Sequence, residues 1–229
     1  VFININRKVA VSMSSIHNTN TLGQHFLRGQ VWRGDQIPEL SRATVLDTGH
    51  PELNRELPAQ GWRAGQVCEI YSQSAGCGEV SLLLPALAKL SQQERWIMLI
   101  APPAIPYAPA LSMAGINTRH LLMVHPANHK EALWCIEEGL RSGQCSAVLG
   151  WLNAIDNTSV RRIQLACEEQ QNYCWLWPGQ NAGHKASAAP LRMNVRRHSA
   201  REAAVQFIKR RGSWPSNEFL LPLWPVQHN

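Results

Sequence analysis

The stretch Gln66 to Leu84, QVCEIYSQSAGCGEVSLLL, constrains the fold of this 229-residue chain more than any other segment. An apolar strand, Val67 to Tyr71, runs into a small-residue turn from Ser72 to Gly78 and then into an apolar helix. This is the layout of a phosphate-binding P-loop, whose motif reads G-x-x-x-x-G-K-S/T. In a working loop the backbone N–H groups cradle phosphates, the lysine reaches the β- and γ-phosphates, and the hydroxyl holds Mg²⁺. Here the glycines Gly76 and Gly78 are followed by Glu79 and Val80. A carboxylate repels phosphate, and valine binds no metal. The architecture points to a nucleotide-binding domain, while the residues point away from nucleotide chemistry.

Downstream of the turn, strand and helix patterns alternate. Glu79–Leu90 reads as a helix disturbed by Pro85. Trp96–Ala101 (WIMLIA) is a continuous apolar run, as expected of a central parallel strand. A short helix over Ala108–Ala114 and a strand over Leu121–Val124 follow. Asn128 with Glu131 three residues later forms a capping-box pattern, Leu133, Ile136 and Leu140 line the inner helix face, and Gly143 stops the helix. Ala147–Trp151 is a strand, the next helix is entered from Asn157, and Tyr173–Trp177 is a strand. Gly179–Ala189 reads as a flexible loop. Leu191–Val195, Val205–Lys209 and Glu218–Leu223 read as three closing strands. The pattern predicts an α/β fold, a mainly parallel sheet with helices on both faces and an antiparallel C-terminal extension. Residues 1–20 lack periodicity and read as a disordered arm, 21–44 as an N-terminal interaction segment or linker, and 45–229 as the core domain.

No run reaches the roughly 18 apolar residues a membrane span needs, and the opening VFININRKVAVSMSS is too polar for a secretory signal. The expected compartment is the cytoplasm. The six cysteines form no C-x-x-C pair and read as buried, reduced thiols. His120, His125 and His129 are too irregularly spaced to make a metal site. The carboxylate pairs Glu137–Glu138 and Glu168–Glu169 read as solvated charge on helix faces. Of the nine tryptophans, Trp96, Trp151, Trp175 and Trp177 fall in strand patterns and read as core. Trp214 and Trp224 flank the last strand and suit a partner surface. The net charge of +6 is concentrated: Arg192, Arg196, Arg197, Arg201, Lys209, Arg210 and Arg211 face a single Glu202 in that segment. Such a patch serves a nucleic acid, an acidic partner or no ligand at all.

Thr48 to Tyr71, TGHPELNRELPAQGWRAGQVCEIY, resembles the entry to the RecA-type ATPase core, and PLRMNVRR with VQFIKRRG resembles the two strands that close it. The resemblance covers about residues 45 to 223 and implies a RecA-like three-layer core. Within that superfamily VWRG, ELPAQGW, GEVSLLLPALAKL, APPAIPYAPAL, LRSGQCSAVLGW and IKRRG are similar to patterns of the ImuA family. LLLPALAKLSQQERWIMLIAPP and RSGQCSAVLGWL also resemble the SulA cell-division inhibitors, a shorter family without the upstream TGHPELNRELPAQGW or the basic tail. The presence of both here favours ImuA.

A RecA-type ATPase needs a Lys-Ser/Thr pair, a carboxylate after the second strand and an Asp ending the Walker B strand. This chain has Glu79-Val80, then Ala101-Pro102-Pro103, then Leu149-Gly150-Trp151, with Asp156 five residues too late. The expectation is a protein that is not an enzyme, with no cofactor and no metal. Resemblance to ImuA implies an SOS-response protein of translesion synthesis, partnered by an ImuB-type Y-family polymerase relative, an error-prone polymerase and RecA. Phe26, Leu27, Val31, Trp32 and Arg33 are then the candidate partner-binding residues, since in chain order they match the part RecA-type proteins use to dock on a neighbour. Resemblance to SulA implies instead an inhibitor of division that binds FtsZ. A third reading is weak DNA binding by Arg196, Arg197, Lys209, Arg210 and Arg211, which would be salt-sensitive.

Overall fold

The computed structural model describes residues 44–72, 76, 78–179 and 186–223. The proposed arm and interaction segment, with Phe26, Leu27, Val31, Trp32 and Arg33, lie outside these residues. So do Trp224, Cys77 and most of the loop at 179–189.

A small two-stranded sheet comes first: β1 (Val45–Leu46) pairs antiparallel with β2 (Trp62–Arg63) around helix α1 (Pro51–Glu56). The main sheet then takes β3 (Gln66–Ser72), β4 (Trp96–Ile100), β5 (Leu121–Val124), β6 (Cys145–Trp151) and β7 (Tyr173–Trp177). It closes with β8 (Leu191–Arg197), β9 (Glu202–Arg210) and β10 (Phe219–Pro222). The order across the sheet is β10-β9-β8-β3-β7-β6-β4-β5. All pairs from β8 to β5 are parallel; β8–β9 and β9–β10 are antiparallel. The mostly parallel α/β sheet with an antiparallel extension matches the sequence expectation.

Parallel neighbours need crossovers, and these supply α2 (Leu84–Ser91), α3 (Ala108–Met113), α4 (His129–Arg141) and α5 (Asn157–Gln170). The period-2 alternation of the strands divides the core in two. Ala147 and Leu149 of β6, with Tyr173, Trp175 and Trp177 of β7, pack with α1 and α2. Val148, Cys174 and Leu176 point the other way and pack with α4 and α5. The central strands are buried on both faces, which is why they read as unbroken apolar runs. Gly150 lets α4 approach closely, since a Cβ there would fall 2.6 Å from Ile136 Cδ1.

Three local expectations are corrected. Pro85 does not disturb a helix running from Glu79. Residues Ser81–Leu83 form a short 3₁₀ turn, and α2 starts at Leu84 with Pro85 in its first turn, where a missing N–H costs nothing. Glu137 is not solvated: α4 packs on α5, and Glu137 is buried between Arg162 and Arg141. Glu168 and Glu169 are exposed, as expected. Trp96 is no core residue. It opens β4 half-exposed, its ring edge-on to His120. The capping box does form: Asn128 Oδ1 accepts the Glu131 N–H (3.0 Å), and Glu131 Oε2 accepts the Ala127 N–H (2.9 Å).

The seam between the parallel core and the extension is polar. Glu69 of β3 and Arg192 of β8 are only 1% and 6% exposed, and Arg192 Nε lies 3.0 Å from Glu69 Oε2. The Tyr71 hydroxyl donates to Glu69 and accepts from Arg192 Nη2 (2.7 Å), and Ser187 Oγ donates to Glu69 Oε1 (2.6 Å). Burial and the neighbouring Glu69 push the Tyr71 phenol far above its ordinary range. Removing one partner of a buried ion pair strands the other's charge in low dielectric. Arg192→Met should therefore lower unfolding stability in urea by about 3–5 kcal/mol. Adding Glu69→Leu to that variant should recover part of the loss.

Candidate functional site

The P-loop-like turn between β3 and α2 is closed from within. Gly76 and Gly78 have φ of +80° and +101°, backbone that side chains rarely adopt. The Gly76 N–H, a group that would face phosphate in a working loop, donates to Glu79 Oε1 (2.8 Å). Glu79 is 3% exposed, and its second oxygen has no partner. From the extension, Arg197 Nη2 donates to the Gly76 carbonyl (2.8 Å), and Leu223 covers Gly78 so tightly that a Cβ there would clash with it. Val80 is half-buried against the core. The two carboxylate positions of an ATPase hold Ala101, a positive-φ residue just after β4, and Trp151, ending β6. Asp156 caps α5 instead, accepting the N–H groups of Thr158 (2.8 Å) and Ser159 (2.9 Å).

Above the turn, at the carboxyl ends of β3, β4, β6 and β7, lies a cleft of about 540 Å³. Ser72, Glu79, Ala101, Trp151 and Trp177 line it, with Asn128 and His129 at the start of α4. Trp151 and Trp177 stack with centroids 4.4 Å apart and planes 5° from parallel. Adjacent strands β4 and β6 send their following helices to opposite faces here, the place where open α/β sheets bind ligands. The stacked pair was legible only as core.

The basic segment becomes an internal network. Arg196 Nε and Nη2 both bond Glu218, Arg197 holds Gly76, and Lys209 Nζ donates to the Ser187 carbonyl (2.9 Å). Arg210 Nη1 pairs with Glu56 Oε2 (2.8 Å), while its Nε bonds the Trp214 carbonyl. Arg211 follows at the exposed turn after β9 and also has an interaction. Charges bound to carboxylates and carbonyls are poorly placed to trade partners for phosphate. Cys68, Cys145, Cys167 and Cys174 are buried, and burial pushes their thiols up; Cys135 is half-buried. Among the described residues no three His, Cys, Asp or Glu side chains could hold a metal, and His120 Nδ1 lies 2.8 Å from the Ser91 carbonyl. Among them, too, no helix is long and apolar enough to cross a membrane.

The opposite end of the sheet is apolar and open. Strand β5 is its edge, pairing only with β4 among the described strands, and its sequence LLMV has no charge. Edge strands are ordinarily blunted by charge or proline because their free backbone groups invite pairing. Leu122 and Met123 are exposed, as are Ile105, Tyr107 and Met113 (81%) before β5 and Trp134 (61%) on α4 behind it. Helix α3 buries no residue. Sequence periodicity missed this face because four apolar residues in a row also describe a buried strand.

Fold and site thus define an α/β domain with a P-loop-like turn filled by its own glutamate and an apolar edge strand that is exposed among the described residues. A family model described as cell division inhibitor SulA matches residues 65–174. Cell division inhibitor SulA of Edwardsiella piscicida is 32% identical over 123 residues, 53% of this chain and 73% of that protein. SulA of Pseudomonas aeruginosa is 32% identical over 139 residues, 58% of this chain and 86% of that protein. A crystal structure of SulA from Pseudomonas aeruginosa aligns at 29% identity, covering 49% of this chain and 98% of that one, with a TM-score of 0.41. The chain belongs to the SulA family of cell division inhibitors.

This corrects the assignment to ImuA, and with it the translesion role and the ImuB-type, polymerase and RecA partners. The segments that favoured ImuA, VWRG, ELPAQGW and IKRRG, lie outside residues 65–174, whereas GEVSLLLPALAKL and LRSGQCSAVLGW lie inside the match. Added length at both ends does not place the chain in another family.

Gly78→Ala should lower stability by about 1–3 kcal/mol, from its positive φ and the clash with Leu223. Leu223→Ala in the same chain should relieve the clash and leave the φ strain, so thermal melts should show only partial rescue.

Proposed function

We propose that this protein is an SOS-induced division inhibitor that binds FtsZ in the cytoplasm and blocks its polymerisation. The observation carrying the reading is a coincidence of place: the exposed apolar end around β5 falls wholly within the segment shared with SulA. An interface core is typically apolar and aromatic and depleted of charge, and Tyr107, Met113, Leu122, Met123 and Trp134 have that composition. Inhibition by contact needs no catalysis, and we read the chain as a protein that is not an enzyme. The RecA-like character of its core belongs to the same proposal, supported by the strand–turn–helix at Gln66–Leu84 and the strand order. DNA contact by the basic segment has no supporting geometry, since the side chains invoked for it have interactions within the chain.

Expression in undamaged cells should produce filaments, and extra FtsZ should suppress them; normal division would sink the reading. Met113→Glu with Trp134→Ala should weaken binding to purified FtsZ at least tenfold without altering the melting temperature, since both side chains are exposed. Unchanged binding would move the interface elsewhere, and loss with Leu220→Glu alone would place it at the β10 edge. Glu79→Lys with Val80→Thr should show no ATP turnover, because Ala101 and Trp151 stand where the catalytic and metal carboxylates are needed. Measurable hydrolysis by that variant would refute the reading of the site.

A further inference from the structure

We propose that the cleft at the carboxyl ends of β3, β4, β6 and β7 is a binding site for the cationic side chain of a basic peptide segment, arginine above lysine. Three observations on its walls carry this. Glu79 is buried and lines the cleft, with Oε1 held by the Gly76 N–H and Oε2 without a partner. A buried carboxylate oxygen lacking a donor is costly, and a guanidinium supplies donors and the opposite charge together. Trp151 and Trp177 form a stacked indole wall, the surface on which guanidinium groups lie most favourably. Both indole Nε1–H groups are buried without an acceptor, and the backbone carbonyl of a peptide is one.

The electrostatics exclude the ligand that this position would suggest. Among the described residues, neither lysine nor arginine lines the cleft. At the start of α4 the Glu131 N–H is already taken by the Asn128 side chain, and the Glu131 carboxylate accepts the Ala127 N–H and the Asn128 side-chain N–H. A phosphate would meet the Glu79 carboxylate with no lysine or arginine among the described lining residues to compensate it. The cleft volume is also within the range of small-ligand sites, enough for one long side chain with its peptide unit. Glu79, Trp151 and Trp177, which carry the proposed recognition, are none of the residues placed at the proposed FtsZ contact, so the two can be tested separately.

The test uses the full chain and ¹H–¹⁵N spectra of the indole N–H groups, assigned with Trp151→Phe and Trp177→Phe. N-acetyl-arginine amide should shift both signals saturably, whereas its neutral isostere N-acetyl-citrulline amide should not. Agmatine, with the guanidinium and no peptide carbonyl, should bind more weakly; binding at least as tight would assign the site to free amines and overturn the peptide. Glu79→Gln, checked by its melting curve, should weaken the arginine probe at least tenfold, and Trp151→Leu should weaken it in parallel. Equal binding of the citrulline probe, saturable binding of Mg-ATP to the same indoles, or no saturable shift with any arginine probe would overturn the proposal. If Glu79→Gln fails to fold, the arginine–citrulline contrast and Trp151→Leu still decide.

Discussion

The ion pair between Glu69 and Arg192 is the interaction on which the two halves of the sheet depend. Parallel strands β3, β7, β6, β4 and β5 make one unit with their crossover helices, and β8, β9 and β10 make another. The seam runs between β3 and β8. Apolar pairing alone would tolerate β8 slipping by two residues. A buried carboxylate met by one guanidinium, one phenol and one hydroxyl allows a single register. That register in turn brings Arg197 to Gly76 and, through β9, Leu223 onto Gly78. The turn owes its closure to a contact about 120 residues away in sequence.

Much of the core was legible because the physics there is local. WIMLIA and YCWLW read as central strands and are found there, and Asn128 with Glu131 marked a helix start. The errors came where tertiary contact overrides local pattern. Glu137 looks solvated in a helical wheel until α5 brings Arg162 across to it. Trp96 fits a strand core until the strand proves to start with it outside. The basic tail looked like a patch for DNA because sequence shows charge and hides its partners: Glu218, Glu56 and several carbonyls lie far along the chain or in the backbone.

The site was half legible. The loss of lysine, hydroxyl and both carboxylates could be counted in the sequence. What replaced them could not. That Glu79 folds back onto Gly76 depends on a turn geometry set by two positive-φ glycines. That Trp151 and Trp177 stack depends on β6 and β7 being neighbours in register, Trp151 opposite Trp177. Family membership was misjudged for a related reason. Terminal segments carry many distinctive residues, but the domain they decorate is defined by its middle.

The carboxylate inside the turn has one more consequence. An ATPase loop exists in empty, charged and spent forms, and cells use the traffic among them as a clock. On the proposed reading, a loop whose occupant is its own side chain would have no such forms and no clock, and its shape would not follow the energy state of the cell.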